Sequence, residues 1–120
     1  MNKKGFMTTN INQGIKTVLY SAADINRAKA LFTKLLGVEP SVDSPYYVGF
    51  KVGDQDIGIT PNTPPGPMAF WHVSDIKSSL QSVVEGGGQT QQAPKDVGGG
   101  KLVATAKDAE GNLIGFVQMP

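Results

Sequence analysis

From Ile15 to Ala22 the side chains alternate, with Val18, Tyr20 and Ala22 on one face and Thr17, Leu19 and Ser21 on the other. A two-residue period predicts a strand. The period then changes. Ala28, Leu31, Phe32, Leu35 and Leu36 recur at helical spacing and predict one apolar stripe. Asp24 is placed to cap that helix, because its carboxylate can accept from the free amides of the first turn. Gly37 stops it, since glycine takes the left-handed conformation cheaply. Tyr46 to Val52 returns to the two-residue period, with Val48, Phe50 and Val52 toward the helix and Tyr47, Gly49 and Lys51 away from it. Gly53-Asp54 is a turn signal, and Asp56 to Thr60 forms the antiparallel partner. With a short strand at Val42, the order is β-α-β-β-β.

The same order then repeats. Met68 to Val73 predicts a strand on which Trp71 faces the helix. Asp75 caps a helix with the stripe Ile76, Leu80, Val83 and Val84, stopped at Gly86. Gln89 to Gln92, Lys101 to Lys107 and Leu113 to Gln118 supply three further strands. Asp24-Ile25 and Asp75-Ile76 stand 51 residues apart, and each copy closes on an Ile-Gly pair, Ile57-Gly58 and Ile114-Gly115. A self-similar period of this kind marks an internal duplication. The domain organisation is a flexible tail over 1–13, a first module over 14–61, a second over 67–119 and a Pro-rich linker over 61–67.

Composition narrows the function without naming it. The chain has 120 residues, 39% hydrophobic and 18% charged, as in an ordinary soluble domain. A formal charge of +1 with no basic block gives no reason to expect nucleic acid or an anionic membrane. The absence of cysteine removes disulfides, thiolate catalysis and Cys-based zinc sites, and fits a cytoplasmic protein. No apolar run reaches the roughly 18 residues of a membrane span. Gly98-Gly99-Gly100-Lys101 is no phosphate loop, because Leu102 stands where a magnesium-binding Ser or Thr is needed.

The strand, the capping Asp and a helix ending Leu35-Leu36-Gly37 resemble the vicinal oxygen chelate superfamily of glyoxalases, extradiol dioxygenases and bleomycin-resistance proteins. Asp108-Ala109-Glu110-Gly111-Asn112 before an apolar strand is similar to that family's usual closing turn. The resemblance spans residues 15 to 119. It implies an α+β fold of two tandem β-α-β-β-β modules forming a curved mixed sheet around a cavity, with helices outside. It also implies metal ligands on the first and last strand of each module. Here those positions are Thr17, Gly58, Met68 and Gly115, a poor set for a hard divalent ion.

On this reading no metal, cofactor or catalytic residue is expected. Ligand-binding candidates are Thr17, Leu19, Tyr47, Gly58, Met68, Phe70, His72 and Gly115. His72, the only histidine, is either a ligand-contacting acid/base or a satisfied polar residue at a cavity edge. Gly58 and Gly115 either make room for a ligand or ease sheet curvature. If they make room, Gly58→Glu or Gly115→Glu is expected to block binding and leave the fold standing. Asp54, Asp56, Asp108 and Glu110 read as turn residues. The leading function is metal-independent binding of a small, partly apolar molecule, in the manner of the family's drug-binding resistance members. The rivals are a glyoxalase-like lyase, isomerase or dioxygenase with an unrecognised metal site or His72 as acid/base, and an accessory module without a ligand. The resemblance also implies a homodimer.

Overall fold

Asp24 and Asp75 each start a helix as their spacing predicts. The Asp24 carboxylate accepts from the Arg27 amide at 3.0 Å and that of Asp75 from the Ser78 amide at 3.1 Å. The computed structural model describes residues 10–61 and 66–120. The elements of the first module are β1 (Asn12–Ser21), α1 (Ile25–Leu36), β2 (Val42–Asp43), β3 (Val48–Val52) and β4 (Gln55–Thr60). Those of the second are β5 (Met68–Val73), α2 (Ile76–Glu85), β6 (Gln89–Asp96), β7 (Leu102–Lys107) and β8 (Leu113–Gln118). The fold is α+β, and both modules follow the order β-α-β-β-β. Among the described residues no helix is long and apolar enough to cross a membrane.

The strands of the first module lie in the order β2-β3-β4-β1, and those of the second in the order β5-β8-β7-β6. In each module the first and last strands run parallel, β1 beside β4 and β5 beside β8, and the remaining pairs are antiparallel. A helix connects the first strand to the rest, because a parallel neighbour needs a crossover longer than a hairpin.

Each helix covers one face of its own module's sheet. In the first module Val48, Phe50 and Ile59 are buried beneath Ile25, Ala28, Phe32 and Leu36, with Tyr20 and Ile57 beside them. In the second, Val73, Ile76, Leu80, Ala104, Ala106 and Phe116 form the core, with Trp71 and Ile114 packed against it. The expected strand faces are therefore the observed ones. The helix stripe needs correction. Leu31 is 52% and Leu35 68% exposed, and Val84 is exposed as well. Leu31 and Leu35 stand one residue before Phe32 and Leu36, a rotation of about 100° around the axis. That carries them past the edge of the contact with the sheet. Val52 is also exposed, next to the turn of the β3–β4 hairpin.

Two segments differ in extent from expectation. β6 runs on to Asp96, with register shifts against β7 on either side of Gln92. Such bulges keep an irregular strand paired past its Pro94. Of the tail expected over 1–13, residues 1–9 lie outside the described residues, whereas Asn12 and Gln13 already belong to β1. Just before them, the Asn10 carboxamide accepts from the Asp75 amide and donates to the Ser79 hydroxyl, both at 3.0 Å. The Ile11 amide donates to the Ser74 hydroxyl and the Ser74 amide to the Ile11 carbonyl. The described residues form two compact units, 10–15 with 70–120, and 16–61 with 66–69. Of the linker expected over 61–67, residues 62–65 lie outside the described residues.

Two further contacts position strand ends. The Gln118 side chain accepts from the Ile76 amide at 2.8 Å, a second cap on α2 supplied by β8. Asp108 closes the β7–β8 turn, where its carboxylate accepts from the Glu110 and Asn112 amides and from the Asn112 side chain. Those bonds, the Asn112 side chain's foremost, hold the Asp108 carboxyl below the usual carboxylate range. The expected turn role of Asp108 is its observed one.

Candidate functional site

With the helices fixed to one face, strand alternation assigns the other face of each sheet. In the first module it carries Thr17 and Leu19 on β1, Gly49 and Lys51 on β3, and Asp56, Gly58 and Thr60 on β4. In the second it carries Met68, Phe70 and His72 on β5 and Gly115 and Val117 on β8. Seven of the eight sequence-derived candidates belong to these two helix-free sets, and the eighth, Tyr47, stands just before β3.

In the first module the structure brings Leu19, Tyr47 and Gly58 together. Leu19 stands beside Gly58 across the parallel pair, and Gly58 faces Gly49 across the antiparallel one. The Tyr47 ring lies over both glycines. A Cβ on Gly58 would meet the ring at 2.8–2.9 Å and its hydroxyl oxygen at 2.5 Å, and one on Gly49 would meet it at 2.9 Å. Thr17, 8% exposed, lies one step along β1 beside Asp56. Tyr47 itself is half-buried and is anchored through its backbone, whose amide donates to Ser44 Oγ and whose carbonyl accepts from it.

The second module fills the equivalent space from the opposite side. Phe70 pairs directly with Gly115, and its ring covers the place a Cβ would take, with Cε2 at 2.6 Å and Cγ at 2.7 Å. Phe70 is 5% exposed. His72, 7% exposed, stands two residues along, beside Val117. Met68 is half-buried at the start of β5.

At each of these glycines the place of a Cβ is taken by the module's own aromatic ring. This corrects the expected outcome of the glutamate substitutions. A side chain at Gly115 collides with a buried ring before it reaches any ligand, so the fold itself is at stake.

Asp56 was missed as part of this face. It lies within β4, as the strand over Asp56 to Thr60 predicts, and its carboxylate pairs with Lys51 Nζ at 3.0 Å. The signal was available in the alternation Asp56, Gly58, Thr60. Burial first, and the charge of Asp56 second, push the Tyr47 phenol above its ordinary value. Tyr47 is therefore a neutral O–H donor throughout the physiological range.

The donor set does not fit a divalent metal. Of the four ligand positions that the resemblance implies, Gly58 and Gly115 lie under rings, and Thr17 and Met68 offer a hydroxyl and a thioether. Among the described residues no group of three or more His, Cys, Asp or Glu is gathered to hold an ion.

The description Glyoxalase/Bleomycin resistance protein/Dioxygenase superfamily matches residues 14–116. The chain belongs to that superfamily. No curated protein matches the sequence significantly. Among solved structures, a superfamily member from Vibrio splendidus is 20% identical with a TM-score of 0.66, covering 91% of this chain and 100% of its own. The methylmalonyl-CoA epimerase of Mycobacterium tuberculosis is 17% identical with a TM-score of 0.69, covering 94% of this chain and 92% of its own. The Mn(II)-bound glyoxalase of Novosphingobium aromaticivorans is 16% identical with a TM-score of 0.69, covering 92% of this chain and 40% of its own. At these identities the likeness shows a shared fold and carries no activity across.

Proposed function

We propose that this superfamily member binds a small, partly apolar molecule on its helix-free sheet faces without a divalent metal, and does so as a homodimer. The observation that carries the reading is the pair of rings over glycines, Tyr47 on Gly58 and Phe70 on Gly115. These are positions where the resemblance implies metal-binding carboxylates. Tyr47 keeps accessible ring surface while Phe70 is enclosed, and an aromatic ring with polar groups beside it suits a small-molecule site. Thr17, Leu19, Met68 and His72 extend the surface on the same strands.

Metal analysis of protein purified without chelators tests the first part. Well under one zinc, nickel, manganese or iron per chain is expected, and one tightly held ion per chain would reject it. A thermal-shift screen against small aromatic and aliphatic compounds tests the second part, since a ligand bound only by the native state raises the melting temperature. No stabilising compound, with a monomer mass by light scattering, would leave the accessory-module reading in its place.

A metal-free enzyme is the second reading. It is favoured by one observation, the burial of the sole histidine on the same face as Phe70. Turnover of a ligand found in the screen, lost in His72→Gln with binding retained, would establish it.

A further inference from the structure

We infer that the Tyr47 hydroxyl is the specificity determinant of the first module's helix-free face, and that it selects ligands carrying an uncharged hydrogen-bond acceptor such as a ketone or amide oxygen. This rests on the small-molecule reading above.

A ring over a cross-strand glycine pair has a plain packing role, because it covers backbone that glycine leaves bare. That role needs carbon only. The protein supplies its own control, since the second module covers Gly115 with Phe70, which has no hydroxyl. The oxygen of Tyr47 is therefore extra to the packing. It sits at the end of the ring nearest Gly58, on the open face rather than in the helix core. Both hydrogen bonds of Tyr47 to Ser44 use its backbone. Burial and the charge of Asp56 keep the phenol protonated. The O–H is thus a neutral donor.

The surroundings set the class of acceptor. Asp56 carries negative charge close enough to be felt by the phenol, and Lys51 Nζ is already engaged with it at 3.0 Å. Asp56 is the charge that bears on the phenol, and Lys51 weakens its field without removing it, so an anionic oxygen approaching Tyr47 still meets repulsion. A carbonyl oxygen accepts the same hydrogen bond without that repulsion.

The test uses three probes of one shape, 2-acetylnaphthalene, 2-ethylnaphthalene and 2-naphthoate, titrated calorimetrically into the full chain. The intact protein is expected to prefer the ketone over the hydrocarbon by about fivefold, the worth of one neutral hydrogen bond. Tyr47→Phe, which keeps the ring, should erase that preference while leaving 2-ethylnaphthalene binding unchanged. Asp56→Asn should narrow the gap between 2-naphthoate and the ketone, an independent readout if Tyr47→Phe proves poorly folded. An undiminished ketone preference in folded Tyr47→Phe overturns the inference, as does equal binding of all three probes to the intact protein. In both cases the small-molecule reading survives. If none of the three binds, both fall together.

Discussion

Gly58 and Gly115 occupy matched places in the two modules and lie under rings of unequal freedom. Neither has a positive φ, so the backbone at each accepts a side chain without strain. The difference lies in what must move. Phe70 is 5% exposed and enclosed, whereas Tyr47 is half-buried and has solvent on one side. Gly115→Ala should therefore cost about 1–3 kcal/mol as an overpacked site. Gly58→Ala should stay within about 1 kcal/mol of wild type, because the Tyr47 ring can swing aside and alanine restricts the unfolded chain. Urea unfolding of the two variants measures this, and equal losses would show that Tyr47 is held as firmly as Phe70. The sequence revealed that these glycines were special and on which face they lay. It was silent on the rings above them, because a ring's position depends on rotamer and neighbours rather than on spacing.

At the scale of elements, the strand assignments were legible because a half-buried strand repeats every two residues and its buried face is nearly continuous. The helices were legible in position but not in width. Ala28, Phe32 and Leu36 pack on the sheet while Leu31 and Leu35, equally apolar, stand in solvent. An apolar stripe on a helix states which residues can be buried, and the breadth of the opposing sheet decides which are. Leu80→Ala, at a buried core position, should destabilise by about 2–5 kcal/mol. Leu35→Ala should change stability by less than about 0.5 kcal/mol, as an exposed substitution does. Thermal or chemical melts of the two variants decide it, and a Leu35→Ala loss as large as that of Leu80→Ala would mean that another surface covers α1 in solution.

At the scale of the whole chain, the amino-terminal segment joins its distant second module. Asn10 makes two hydrogen bonds near the start of α2, to Asp75 and Ser79, 65 and 69 residues along the chain. Asn10→Ala removes both, with an expected loss of about 1–3 kcal/mol. Hydrogen exchange should show faster opening at Asp75 with β3 and β4 unaffected. Unchanged exchange at Asp75 would show that the segment adds nothing to α2. No local pattern announced this contact. Asn10 lies in a polar stretch that reads as a tail, and its partners are polar groups whose pairing only proximity reveals.

What the sequence determined by itself is the duplicated β-α-β-β-β order, the two Asp caps, the face on which each strand residue lies and the absence of metal-binding side chains at Gly58 and Gly115. These follow from periodicity, from capping chemistry and from residue identity, all of which are local. Only the tertiary structure decided that Tyr47 and Phe70 fill the glycine spaces from opposite strands, that Asp56 pairs with Lys51 beside the phenol and that Leu31 and Leu35 lie outside the core. The two ring placements are contacts that spacing along the chain does not announce, and the exposure of Leu31 and Leu35 reflects how far the sheet reaches beneath the helix. Such contacts are set by packing, which resolves many side chains together, and no local pattern encodes its outcome.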